Sequence, residues 1–259
     1  MFPYTWKQSL VLPLFKKGDK STVGNYRPIS LLGCVGKLME RCVYKHISNH
    51  LHFNNLVHPK QSGFLKGHST IHQLHTYIYH DIVSTIDSRQ HLCMIFCDIS
   101  KAFDRVWHPG LLFKLRQYGV DGQLLEWVRD YLSHRQQQSV SVGSVKSLSR
   151  HAHAGVPKGS VLGPLFSLLY ENHISDTLLS ISRLVADDTS LACSASNVND
   201  IEGILNHDLD LLSKQWLVSF NPTKTEAILF SNQNVQNPSL LYDNVNITFV
   251  HNHNIKQTW

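Results

Sequence analysis

The sequence predicts an α+β fold, with helices packed on one face of a small antiparallel sheet. Three observations lead there. Leu92-Cys93-Met94-Ile95-Phe96-Cys97 is a continuous apolar run, the length of a strand buried on both faces. The short runs Leu184-Val185 and Leu191-Ala192-Cys193 flank Ala186-Asp187-Asp188-Thr189, as two strands meeting at a tight turn would. Apolar residues at helical spacing fill several intervening segments, so the core reads strand, helices, loop-helix, strand-turn-strand, helix, strand.

Taken in order, Leu10 to Phe15 predicts a strand leading into the basic loop Lys16-Lys17-Gly18-Asp19-Lys20. Leu38, Met39, Cys42, Val43, Ile47 and Leu51 place a helix over 35–53. Ser69 or Thr70 caps a second, with Ile71, Leu74, Ile78, Ile82 and Ile86 on one side. Helices follow over 109–118 and 121–133, the latter capped by Asp121. Ser139-Val140-Ser141-Val142 alternates as a strand, and Gly155 to Ser160 is a loop entering an apolar helix that runs through Leu169. Asn199 opens a helix carrying Ile201, Ile204, Leu205, Leu209, Leu212 and Trp216, and Thr225 to Phe230 is a strand. The last 29 residues are Asn-rich and poorly patterned.

A chain of 259 residues can bury one large core or two small ones. A hydrophobic content of 42% and a mean hydropathy of −0.17 are ordinary for a globular protein. No apolar run approaches the ~20 residues of a membrane span, and the N-terminus lacks a signal-peptide apolar stretch. The expected setting is intracellular, in nucleus or cytoplasm, without membrane contact. Cys34, Cys42, Cys93, Cys97 and Cys193 form no Cys-x-x-Cys pair, which predicts buried reduced thiols. His151-Ala152-His153 and His251-Asn252-His253 lack the Cys or carboxylate company of a zinc site and read as solvated. The net charge of +5 is uneven: residues 1–66 carry +8 and the remainder −3. A basic end of that size suits a phosphate-rich partner such as nucleic acid.

Asp187 and Asp188 stand side by side, which costs repulsion that a turn does not require. A divalent cation removes that cost, because hard oxygen ligands suit Mg²⁺. Asp98 ends the apolar strand, 89 positions before Asp187, and the two converge if the hairpin pairs beside that strand. Two ions about 3.5–4 Å apart, bridged by such acids, can clamp the attacking and leaving oxygens of a phosphoryl transfer. On spacing alone, a strand-end Asp and a solvated polar turn is an equal reading.

Several segments then resemble, in order, the motifs of reverse transcriptases from non-LTR (LINE-type, jockey-like) retrotransposons. Asn25-Tyr26-Arg27-Pro28-Ile29-Ser30-Leu31-Leu32 is similar to the first fingers motif, and Gln61-Ser62-Gly63-Phe64 with Gly67-His68-Ser69-Thr70 to the second. Asp98 to Val106 resembles palm motif A, Gly155 to Pro164 motif B, Ala186-Asp187-Asp188 motif C, and Asn221 to Thr225 motif D. The likeness spans roughly residues 6–231.

This resemblance implies a right-hand polymerase: fingers in 1–90, palm motif A in 91–108, a fingers/palm connection in 109–150, palm motifs B to D in 151–245, and a truncated tail in 246–259. It implies RNA-directed DNA synthesis, with RNA template, DNA primer and dNTP as partners and two Mg²⁺ ions (Mn²⁺ as the alternative) as cofactor. By motif, Asp98, Asp187 and Asp188 are the catalytic metal ligands. Phe103 is the steric gate against a 2′-OH, and Arg27 and Lys17 bind the triphosphate, with Lys17 the less secure in register. Gly155, Lys158 and Gly159 face substrate, and Lys224 protonates the leaving pyrophosphate, an exposed lysine being the plainer alternative there. The thumb is expected to be missing or truncated, with no endonuclease segment, so that processivity is poor.

Four departures from the family pattern stand out. Lys158 stands for a glutamine, Val185 for an aromatic, Leu65 for an arginine, and Glu171-Asn172-His173 for Ile-Asn-Asp. These changes leave open a catalytically impaired nucleic-acid-binding relic of a retrotransposon. A palm-fold nucleotidyl cyclase is a third reading, which needs neither the basic end nor Phe103.

Overall fold

A 3₁₀ turn at Tyr4–Lys7 leads into β1 (Gln8–Phe15), and β2 (Tyr26–Leu31) returns antiparallel to it, Phe15 opposite Tyr26. The computed structural model describes the chain apart from residues 62, 64–78, 99–101, 186–187, 215–219, 222–223 and 251–259. It divides into two compact units. One comprises Met1–Val57 and Lys101–Glu171, the other His58–Ser100 and Asn172–Trp259.

In the first unit, α1 (Cys34–Phe53) covers the predicted helix, with Ile47 and Leu51 buried. The short α3 (Ala102–Arg105), α4 (His108–Gln117) and α5 (Gly122–Leu132) follow the second unit's segment His58–Ser100, which carries α2 (Tyr79–Asp87) and β3 (His91–Asp98). β4 (Gln136–Val142) pairs parallel with β1, and β5 (Val145–Lys146) and β6 (Arg150–His151) pair antiparallel with β4. The centre of this unit is α6 (Leu162–Glu171), buried at Leu162, Leu165, Phe166, Leu168 and Leu169 and packed against α1, α3 and α4. A helix that apolar must be enclosed, and Pro164 is tolerated because it sits in the first turn. At its other end the Lys114 ammonium donates to the Tyr170 carbonyl and lies 5.1 Å from the Tyr170 ring.

The second unit holds a sheet in the order β12-β9-β3-β8-β7. Its strands are β3 (His91–Asp98), β7 (Ile181–Val185), β8 (Asp188–Ala195), β9 (Glu226–Phe230) and β12 (Thr248–Phe249). Pairings are antiparallel except β12 with β9, which is parallel. β3 lies between β8 and β9, and Leu92, Cys93, Met94 and Ile95 are at most 1% exposed, as an unbroken apolar run requires. Ile82 of α2 (Tyr79–Asp87) packs on Leu92, Met94 and Ala192. α7 (Val198–Lys214) runs along β8 with Ile201, Leu205, Leu209 and Leu212 buried. From α7, the fully buried Asp208 carboxylate accepts the backbone N–H of Leu179 and Ser180, at 3.1 and 2.7 Å, anchoring the entry to β7.

Several expectations change. Asp121 occupies the N-cap of α5 but its side chain makes no capping bond. At α7 the cap is Asn197, whose Oδ1 accepts the Asn199 N–H at 3.0 Å, so the helix begins before Asn199. Cys93, Cys97 and Cys193 are buried free thiols, whereas Cys34 and Cys42 are free but exposed. Burial raises the Cys93 thiol to about 12 and the Cys193 thiol to about 11. β2 was not foreseen, since Pro28 and its mostly exposed side chains hide the strand pattern. The two-residue strands β10 (Leu241–Tyr242), β11 (Val245–Asn246) and β12 are too short to show a period. The predicted start of the second helix at Ser69 or Thr70, the Gly67-His68 segment, Leu65, Trp216, and His251 and His253 lie outside the described residues. No helix among the described residues is long and apolar enough to cross a membrane.

Burial lowers the Lys114 ammonium from 10.5 to about 8, with Glu171 partly offsetting the effect. Its charged form is therefore disfavoured in the fold, and the unfolded chain binds the extra proton between those values. Wild-type stability should rise relative to Lys114→Met as pH increases from about 8 to 10.5. Paired urea titrations at intervals across that range check it; a constant difference would contradict it.

Candidate active site

In the second unit the decisive geometry is the register of β3 on β8, which pairs Cys97 with Thr189 and Asp98 with Asp188. Val185 pairs with Asp188 across β7 and β8, so only residues 186–187 separate those strands. The backbone thus brings Asp98 and Asp188 opposite one another at the end of the sheet. Asp187, expected to converge with Asp98, lies outside the described residues. Carboxylate oxygens are the hard donors that Mg²⁺ takes, so the donor chemistry of this strand end fits a divalent ion. Among the described residues, no group of three or more His, Cys, Asp or Glu could hold a metal.

In the first unit the loop 155–161 is sewn to its surroundings at nearly every residue. Gly155 N–H donates to the Val106 carbonyl at 2.8 Å and Val156 N–H to the Phe103 carbonyl at 2.7 Å. The Ser30 N–H of β2 donates to the Lys158 carbonyl at 2.7 Å. Gly155 and Gly159 take φ of +82° and +117°, a region that costs other residues strain. A Cβ at Gly159 would meet the Ser30 carbonyl oxygen at 2.5 Å, and one at Gly155 the Phe103 carbonyl oxygen at 2.8 Å. Both glycines are therefore required by close backbone approach. Phe103 itself is half-buried.

The Lys158 ammonium pairs with the Asp104 carboxylate at 2.8 Å. The residue that departs from the glutamine pattern thus fastens the loop to α3. Glu40 has a related role that sequence reasoning missed. It is 1% exposed, and its Oε2 accepts the N–H groups of Val161 (2.6 Å) and Leu162 (3.2 Å), capping α6 from α1. The signal was present, because Glu40 is one of two acids among 66 otherwise basic-leaning residues. A carboxylate at a helix N-terminus meets both orphan donors and the positive end of the helix dipole.

Arg27 projects from β2, opposite Leu14 of β1, and is exposed. Lys17 is exposed in the β1–β2 turn. That turn is ordered by Asp19, which accepts Ser21 Oγ at 2.5 Å and Ser21 N–H at 2.9 Å, holding its carboxyl below the ordinary value. Lys224 is exposed in the turn before β9, its N–H bonded to the Asn221 carbonyl at 3.0 Å.

With this geometry in place, comparison with known proteins is decisive. Residues 15–255 match the family model described as reverse transcriptase (RNA-dependent DNA polymerase). The chain belongs to the reverse transcriptase family. It is a domain of the non-LTR retrotransposon kind. It is 33% identical over 242 residues to the probable RNA-directed DNA polymerase from transposon BS of Drosophila melanogaster, covering 86% of this chain and 26% of that protein. It is 32% identical over 244 residues to the RNA-directed DNA polymerase from mobile element jockey of the same organism, covering 90% and 26%. The chain therefore spans about a quarter of these relatives' length. Among solved structures, telomerase from Candida tropicalis in complex with the TWJ fragment of telomeric RNA superposes with a TM-score of 0.64 at 11% identity. That match covers 94% of this chain and 44% of the telomerase chain, and it bears on the fold alone.

Glu40→Ala leaves two N–H groups at the α6 terminus without their acceptor. The expected loss is about 3 kcal/mol of stability, and about 1 kcal/mol for Glu40→Gln, which keeps an acceptor oxygen. Urea midpoints of the three proteins test the ranking; equal midpoints would remove Glu40 from this role.

Proposed function

We propose that the chain is a nucleotidyltransferase that extends a DNA primer on an RNA template. The primer 3′-oxygen attacks the α-phosphorus of a dNTP, and pyrophosphate leaves. The observation that carries this reading is the β3–β8 register, which sets Asp98 opposite Asp188 in a chain of this family. Asp98, Asp187 and Asp188 would hold two Mg²⁺ ions (Mn²⁺ as the alternative), which supply Lewis-acid stabilisation of phosphoryl charge and a lowered 3′-OH pKa.

The other residues act by position and charge. The Phe103 ring fills the space a ribose 2′-OH would need and so selects dNTPs. Arg27 offers a planar fork to phosphate oxygens, and Lys17 a point charge. Gly155 and Gly159 let the loop backbone approach template and incoming base, and Lys158 holds that loop through Asp104. Lys224 gives a proton to the departing pyrophosphate. In this reading fingers correspond to 1–90 and the connection 109–150, and palm to 91–108 and 151–245, with the antiparallel strands of the β3 sheet open to the primed template on one face.

The Lys158–Asp104 pair also supports a second reading, a nucleic-acid-binding relic. A lysine committed to a carboxylate lacks the paired donor and acceptor of the glutamine it replaces.

Asp98→Asn should lower single-nucleotide incorporation by roughly 10³-fold or more while leaving primed-RNA affinity within a few fold. Phe103→Ala should admit rNTPs that the wild type rejects. Primer extension on an oligo(dT)-primed poly(rA) template reads both effects. Wild-type rates in Asp98→Asn would sink the enzymatic reading, and a wild type that binds but never extends would favour the relic.

A further inference from the structure

Four buried polar residues of the first unit, none of them given a role above through its side chain, converge on one cleft beside the 155–161 loop. It is lined by Lys7, Ser9, Ser30 and Arg135, with His108 and the backbone stretch Gly155–Pro157 completing the wall. The four are 5%, 6%, 7% and 4% exposed, whereas Ala152, His108 and Pro157 at the rim are half-exposed, so the cleft opens to solvent. It has room for about one water-sized group at its base.

This cleft is under-satisfied. Among the described residues the Arg135 Nη2 is buried without a hydrogen-bond partner. Arg135 is fixed where it lies: its Nε donates to the Tyr131 carbonyl at 2.8 Å, and its guanidinium sits 3.9 Å from the Tyr131 ring centroid. Lys7 is paired with Asp130 at 2.7 Å, and Asp130 also accepts the Phe2 N–H at 2.5 Å. Lys7 and the N-terminal ammonium both act on Asp130, whereas Arg135 has no carboxylate partner among the described residues and stands beside the Ser9 and Ser30 side chains. Buried donors without acceptors cost free energy that an anionic oxygen would return.

We propose that this cleft is a subsite for one backbone phosphodiester of the bound nucleic acid, with a non-bridging oxygen seated between Ser9, Ser30 and Arg135. This rests on the polymerase-domain reading and deepens it. A diester carries one negative charge, which matches the single uncompensated cation, whereas a nucleoside triphosphate carries about four and would need more. The cleft's narrow base also admits one oxygen and not a chain of phosphates. Its wall includes the Gly155–Pro157 backbone, so a strand held here is positioned against the same loop that the sequence singles out.

Ser30→Asp and Ser9→Asp each place a carboxylate in the cleft from a different strand, answering Arg135 internally and repelling phosphate. Ser30→Ala removes one donor and adds no bulk, which keeps the test available if an Asp variant folds poorly. The measurement is fluorescence anisotropy of a labelled RNA/DNA primer-template with EDTA and without dNTP, over a range of salt. Either Asp variant should bind roughly tenfold more weakly, and Ser30→Ala roughly threefold. The log affinity against log salt should become shallower by about 0.7–0.9, the slope of one phosphate contact. Unchanged affinity and slope in folded variants would overturn the subsite and leave a buried water there instead. Weaker binding of a fluorescent dNTP with unchanged primer-template binding would also overturn it, in favour of nucleotide. A wild type that binds no primed RNA even at low salt would overturn the polymerase reading itself.

Discussion

The alignment of β3 on β8 is the constraint on which the rest of the molecule depends. Asp98 and Asp188 are distant in sequence, and only the pairing of Cys93 with Cys193, Ile95 with Leu191 and Cys97 with Thr189 carries them to the same place. A slip of one residue would turn every side chain of β3 to the opposite face and take Leu92 and Met94 off Ile82. The apolar strand that stabilises this unit is therefore also what sets the position of its acids. Core packing and the placement of these acids share one register.

The first unit solves a different problem, which is to hold a glycine-containing loop in one conformation. β2 reaches it through Ser30, α3 through Phe103 and Asp104, and α1 through Glu40. Left-handed glycines allow the backbones to approach, and the carboxylates of Glu40 and Asp104 then fix the two ends of the 158–162 stretch. Lys158, which breaks the family pattern, is absorbed into this scaffold as an ion pair. That arrangement ties the loop to α3.

Much of this was legible in the residues alone. The apolar run at Leu92–Cys97 and the helical spacing through Leu51 announce their elements because burial on one or both faces imposes a period. What stayed hidden lacked such a period. β2 contributes one buried side chain, Ser30, and β12 is held by a parallel pairing with β9 that only the tertiary structure creates. At the site, strand ends and motif order pointed to Asp98 with Asp187, whereas the register sets Asp98 opposite Asp188 and Asp187 lies outside the described residues. Asp104 and Arg135 could not be read at all, and Glu40 stood out only as a rare acid without its role, because these roles come from partners 54 or more positions away or from a cleft formed by several segments. Asn197 rather than Asn199 as the α7 cap is a smaller miss of the same sort, since adjacent Asn and Ser residues all satisfy the capping preference.

The central claim is that these strand-end acids hold a divalent cation, and Mn²⁺ binding followed by electron paramagnetic resonance tests it without requiring activity. Titrating Mn²⁺ into the wild type should show bound ion that Mg²⁺ displaces and that a folded Asp98→Asn, Asp188→Asn double variant has lost. Undiminished Mn²⁺ binding in that variant would contradict the account.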